Sequence, residues 1–481
     1  MTIIKRAASL ACAPCLFTAL ALTAACSADP GADAERVDDV QLGVQPITLD
    51  ARRSLAVTDR PILDRFSFQR VLDQLVADSG VPGLTSVALF QQWWDTQNPA
   101  EIPGPAPHCN DVVDPVLGTT LNGYPYFCRP YPSEGYQSSC DPFTQPSACS
   151  YVPIGLFNRF DLAPEDGSHC GEYRVVFAKE SGIAATNERN LLIFEATLMN
   201  PIPEKGLKGC KKIVDVWSDL SKEPDIEKRA DVLEEFYFEG INGGPPVISA
   251  AHFGDNALGV GQVRTNQFVI TTSGWSLREY KLLDGQFVPH SNRNNPFGGL
   301  FEPGSEHAQA AAFRASFADQ VASLAGASLD AVNMDSPSQF DSGQSQASGT
   351  TAAEMRYLER LGYGPSDLRT AIQDKLTALG STLTPDEIAL RAQAMSCAGC
   401  HRLNNDVAIG GGLTWPSALG FVHVSERETE SVDGVTRQRI SDALVNEFLP
   451  HRKVVIEDFL NNKPRPSKGP KCPIGGRHSH G

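Results

Sequence analysis

Six cysteines constrain this chain more than any other feature. Cys109, Cys128, Cys140, Cys149, Cys170 and Cys210 fall within about a hundred residues of one another. In an oxidising compartment an even set at this density reads as three disulfides that cross-link the segment. Six cysteines allow fifteen pairings. The expected set is the most local one: Cys109 with Cys128, Cys140 with Cys149, and Cys170 with Cys210.

The first residues set the compartment. Lys5 and Arg6 precede an apolar, alanine-rich run from about Ala7 to Ala25. That is the layout of a secretory signal, and the run is short for a permanent span. Leu22-Thr23-Ala24-Ala25-Cys26 resembles the cleavage box of bacterial lipoproteins, with small residues before the cysteine. The resemblance implies that residues 1–25 are removed, that Cys26 is acylated, and that the chain is anchored to a membrane by several acyl chains. Ser27 resembles the sorting pattern that sends lipoproteins to an outer membrane, on its periplasmic or surface face. Residues 26–58 are polar and aperiodic and read as a tether.

About 455 residues follow the signal, enough for two or three domains. Their charge contributes to a net −16 for the whole chain, spread rather than blocked. A nucleic-acid binder needs a basic footprint, so that class is set aside. An acidic surface suits a basic redox partner protein.

The expected class is α+β. Apolar spacing predicts helices over about 62–77 and 85–94. Residues 98–152, rich in Pro, Gly, Tyr, Ser and Cys, read as irregular loops pinned by disulfides. Short β-branched and aromatic runs predict antiparallel strands at Tyr173–Ala178, Asn190–Leu198, Ile213–Trp217, Gln262–Thr271 and Trp275–Leu282, with one helix near Ile226–Phe236. Residues 59–300 are thus expected as a helical pair plus a disulfide-braced β-rich domain. Residues 301–462 read as mostly helical. They hold helices over His307–Leu324, from Thr351-Ala352-Ala353-Glu354, from Ser366, and from the capping box Thr384-Pro385-Asp386-Glu387. Asp330–Gly349 reads as a polar loop, and 463–481 as a basic Pro/Gly tail.

The last of those helices runs into Ser396-Cys397-Ala398-Gly399-Cys400-His401. Two cysteines separated by two residues and followed by histidine form the attachment signal for covalent haem. The thiols add to the two vinyl groups, and the imidazole binds the iron. The segment resembles c-type cytochromes. That resemblance implies haem c bound through Cys397, Cys400 and His401, and a monohaem electron carrier. Small c-type cytochromes use a downstream methionine on the other iron face, but no methionine follows Met395. His423 is the candidate second ligand, with His451 behind it. An open face would instead suit a haem peroxidase-like enzyme. Gly410-Gly411-Gly412 and Trp415 are candidate porphyrin contacts, and Arg391 and Arg402 candidate propionate partners. Two haem-free readings stay open: a short-loop disulfide, or zinc with a further histidine. They describe an extracytoplasmic binding or structural lipoprotein. Cys472 is the odd cysteine, and its pairing with Cys397 or Cys400 would exclude haem.

A second constellation lies in the strand region. Asn158, Arg159, Asp161, Glu172, Arg174, Glu195, Arg264 and Asn266 sit among apolar neighbours. Buried charges are expensive unless paired. The set reads as structural ion pairs, or as a polar pocket with Glu172 and Glu195 as a hydrolytic carboxylate pair.

Overall fold

The computed structural model describes residues 46–94, 120–126, 137–144, 148–241, 243–254, 260–269, 274–347 and 354–464. The signal segment, Cys26, Cys109, Cys128, Cys472, Thr351 to Ala353 and the tail from 465 onward lie outside these residues.

Strands occur at four of the five stretches where β-branched and aromatic runs predict them, and also in the segment read as irregular loops and in the region read as mostly helical. They are β1 (Ala56–Val57), β2 (Thr120–Leu121), β3 (Tyr124–Pro125), β4 (Tyr151–Arg159), β5 (His169–Lys179), β6 (Asn190–Met199), β7 (Gln262–Val269), β8 (Gly274–Leu283), β9 (Gln286–His290), β10 (Gln344–Gln346), β11 (Val424–Val432) and β12 (Val435–Ile440). Eight of them form one sheet in the order β1-β4-β5-β6-β7-β8-β10, with β9 also paired to β8. Each of its pairings is antiparallel.

Side chains alternate across the two faces of a sheet. One face is aromatic. Phe177 and Phe194 meet Phe68 from the helix Phe68–Ser79, and Phe194 also meets Trp93. Tyr173 meets Trp217 and Phe236. Burying a side chain of this size stabilises by about 2–3 kcal/mol, so this face anchors the N-terminal helices. The helix Phe68–Ser79 begins at Ser67, whose side chain accepts from Arg70 N, and stops at Gly80 in the left-handed region.

The other face is charged. Register puts Arg159 opposite Glu172, Arg174 opposite Glu195, and Arg264 opposite Glu279. A bulge between His169 and Glu172 sets that register. It needs Gly171: φ is +86° there, and a Cβ would lie 2.4 Å from Arg159 O.

Three expectations change. Ile213–Trp217 is not a strand but part of the helix Lys211–Lys222. Val214, Trp217 and Leu220 are buried there and Ile213 packs beside them. Their spacing is helical, and a five-residue window was too short to separate the two periods. Within Asp330–Gly349, Gln344–Gln346 is no free loop: it closes the sheet edge on β8, with Ser345 fully buried. The helix expected from Thr351 starts at Tyr357.

The C-terminal segments cover the charged face. The helix Pro385–Ala394 begins with the expected capping box, in which Thr384 and Glu387 satisfy each other's backbone N–H. It leads to a π-turn over Gly399–Leu403, and beyond β12 come a second π-turn, Leu444–Phe448, and the helix Leu449–Leu460. A boundary near residue 300 therefore runs through a shared core, and the chain from Pro46 onward clusters as one unit. Cys140–Cys149 and Cys170–Cys210 are disulfides, as expected from local pairing.

Candidate functional site

The two constellations singled out in the sequence meet. One partly open cavity of about 70 Å³ is lined by Arg159, Arg174, Glu195 and Arg264 from the sheet, and by Cys397, His401 and His423 from the covering layer. Arg452, from the helix Leu449–Leu460, also lines it. Apolar residues such as Phe157, Val176, Leu444 and Phe448 make up much of the remaining wall.

Backbone contacts fix the Cys397–His401 turn. Ala398 N donates to Ser345 Oγ at 3.0 Å, which ties the turn to β10. Gly399 N donates to Ser396 Oγ at 3.0 Å. A Cβ on Gly399 would lie 1.7 Å from the carbonyl oxygen of Gln393, so the turn packs backbone against backbone on the preceding helix. His401 Nδ1–H donates to Phe421 O at 2.8 Å. Its ring stacks on Trp275 with centroids 5.2 Å apart. His423 lies against it, with ring centroids 4.7 Å apart, and its Nδ1 is hydrogen-bonded to Ser441 Oγ. His423 Nε2 is 3.4 Å from Cys400 Sγ.

Burial governs protonation. It brings His401 down to about 4. It also holds His423 well below the usual histidine range, with His401 and Arg452 adding to the effect. The Cys397 thiol is buried and pushed up to about 12. At neutral pH both imidazoles are uncharged and Cys397 is a thiol, a poor nucleophile.

The sheet charges are paired. Arg174 binds Glu172 at 2.5 Å and Glu195 at 3.3 Å. Arg264 binds Glu279 at 2.7 Å and reaches Glu195 at 3.4 Å. Burial raises Glu195 above the ordinary carboxyl range. For Glu279 burial acts upward too, but Arg264 outweighs it and leaves the carboxyl at about 2. Glu172 and Glu195 share an arginine, which is the ion-pair arrangement rather than a hydrolytic pair spanning a substrate.

No family model, curated protein or solved structure matches this chain.

Haem c does not fit this arrangement. Cys400 is disulfide-bonded, to none of the other described cysteines, so its sulfur has no free valence for a thioether. Ligand pockets for drug-sized molecules run to roughly 300–1,000 Å³, several times the space here. Arg391, a candidate propionate partner, instead donates to the carbonyls of Leu324, Gly326, Ile409 and Gly410. Arg402 lies over the Phe421 ring. Trp415 is buried near Phe448. Gly410, Gly411 and Gly412 form a left-handed turn. Among the described residues no His, Cys, Asp and Glu group has the arrangement of a metal site. Two residues of the site escaped the sequence reading: Arg452, which lines the cavity, and Trp275, which stacks on His401 and was read only as a strand residue. An arginine inside the apolar pattern Val455, Ile456 and Leu460 was the available signal for the first.

Proposed function

We propose that this chain is an exported, lipid-anchored binding protein whose ligand occupies the cavity between the charged sheet face and the Cys397–His401 turn. The observation that carries this reading is the meeting of arginines, imidazoles and apolar side chains around one cavity. Concave, mostly apolar sites with a few convergent polar groups are the usual form of small-ligand sites. The buried cysteine–histidine turn serves as a wall, held by Cys400's disulfide. Export is supported by the signal-like N-terminus and by Cys140–Cys149 and Cys170–Cys210, which persist in oxidising compartments. Lipid attachment at Cys26 rests on the lipoprotein-like box.

A monohaem c-type electron carrier is the competing reading. One observation favours it: His401 spends Nδ1 on a carbonyl, the usual second-shell bond of a metal-bound histidine. It requires Cys400 as a thiol and Trp275 and His423 moved off the imidazole. Expression in a host with haem-attachment machinery separates the two. The expected product is colourless, gives no pyridine haemochrome signal and has an intact mass without haem. A haem-linked peptide containing Cys397 and Cys400 would overturn the binding reading.

A further inference from the structure

We propose that Cys397 and Cys400 form a thiol–disulfide exchange pair: the buried Cys397 thiol takes over the bond that Cys400 makes to Cys472, and the transfer frees the C-terminal tail. This goes beyond the binding reading above and does not rest on it.

The first ground is the state of the two sulfurs. Cys397 is a free thiol, and Cys400 is already in a disulfide. They lie three residues apart on one helical turn, where Ala398 is right-handed and Cys400 N donates to Ser396 O at 3.0 Å. Helix geometry puts Cα atoms at that spacing about 5 Å apart. Disulfides span about 4.4–6.8 Å between Cα atoms, so the turn accommodates a Cys397–Cys400 bond without backbone movement. A thiol beside a bonded sulfur is the arrangement that exchange requires.

The second ground is the partner of Cys400. Cys140–Cys149 and Cys170–Cys210 are closed pairs. Cys12 and Cys15 belong to the signal segment and Cys26 to the lipoprotein-like box. Local pairing joins Cys109 to Cys128, which leaves Cys472. Chain length permits that bond. Phe448 lies against His423, with ring centroids 5.9 Å apart, at the start of the helix Leu449–Leu460. Those 12 residues carry the chain about 18 Å away. The nine residues from Lys463 to Cys472 span up to about 30 Å when extended, enough to return to Cys400.

The third ground is a positioned proton. His423 Nε2 lies 3.4 Å from Cys400 Sγ, and its Nδ1 lies 2.8 Å from Ser441 Oγ. That hydroxyl oxygen accepts Leu444 N–H at 3.2 Å, which leaves its own hydrogen for Nδ1. In a neutral imidazole one nitrogen donates and the other accepts. The His423 proton therefore resides on Nε2 and points at the sulfur, where it draws electron density from the S–S bond.

The exchange balances within the chain. Cys397 releases its proton into the cavity it lines, and its sulfur attacks Cys400 Sγ. The bond from Cys400 to Cys472 breaks, the electron pair leaves on the Cys472 sulfur, and that sulfur takes up a proton. One disulfide and one thiol exist before and after, so nothing is oxidised or reduced overall. The thiolate is the attacking form, so the neutral thiol of Cys397 makes the direct transfer slow. A small-molecule thiol accelerates it by forming a mixed disulfide at Cys400, which Cys397 then resolves.

The purified full chain, held with and without a glutathione buffer, is quenched in acid, alkylated in denaturant with a maleimide and mapped by mass spectrometry. Without glutathione, Cys400 is expected to be joined to Cys472 and the label to sit on Cys397. With glutathione, the label moves to Cys472 and a Cys397–Cys400 bond appears, with one labelled thiol per chain in both states. In Cys397→Ser, Cys472 is expected to be freed only with Cys400 as a thiol or a glutathione adduct. Cys472→Ser is expected to close Cys397–Cys400 in oxidised glutathione. The wild-type map decides the question alone if either variant fails to fold. Cys400 joined to any other cysteine in the untreated chain, a label that never leaves Cys397, or Cys397 and Cys400 both remaining thiols in Cys472→Ser overturns the inference.

Discussion

Single residues at the site carry more stability than their exposure suggests. Gly399 has no space for a methyl group, because the Gln393 carbonyl occupies it. Gly399→Ala is expected to cost at least about 1–3 kcal/mol through overpacking, read as a lower urea midpoint. Arg264 has the opposite role: removing it strands Glu279 in a buried environment and takes from Glu195 one of its two arginines. Arg264→Met is expected to cost about 3–5 kcal/mol, the usual result of breaking one side of a buried pair. Histidine sets the pH response. His401 has an ordinary value of 6.5 and lies at about 4 in the fold because of burial. The unfolded chain therefore binds more protons between those values, so stability is full above about 6.5 and falls as pH drops toward 4. The expected loss from His401 is about 3 kcal/mol, with His423 adding in the same direction. Urea unfolding at pH 7.5 and pH 4.5 measures it, and His401→Phe should flatten the dependence.

At the scale of elements, the disulfides differ in what they hold. Cys170–Cys210 joins β5 to the start of the helix Lys211–Lys222 across a separation of 40 residues, while Cys140–Cys149 spans 9. Loop-closure entropy predicts about 4 kcal/mol for the first and about 2.5 kcal/mol for the second. Replacing each pair with serines should lower the melting temperature in that order. The helices and strands themselves were largely legible. Ser67, Ser366 and Thr384 each cap a helix as hydroxyl residues do. The long strands β5, β6, β7 and β8 announce themselves by composition. Gln344–Gln346 did not, because its polar side chains carry no β signal. It becomes a strand by pairing with the edge of β8, which composition cannot reveal.

The molecule as a whole behaves as one core from Pro46 onward. Its sheet has N-terminal helices on the aromatic face and C-terminal segments on the charged one, so neither half buries its apolar surface alone. Calorimetry is expected to show one cooperative unfolding transition. Two separated transitions, one assignable to residues after about 300, would contradict a shared core.

The sequence alone determined the four long strands β5, β6, β7 and β8, two of the cysteine pairs, and the identity of both groups of chemically capable residues. Those follow from local pattern and spacing, which short stretches of chain carry in full. Only the tertiary structure decided that the two groups form one cavity and that Glu172 and Glu195 share Arg174. It also decided that Cys400's sulfur is already bonded and that Arg159 Nη1 is left over. A buried charge is defined by what surrounds it, and its surroundings here come from segments up to about three hundred residues apart in the chain.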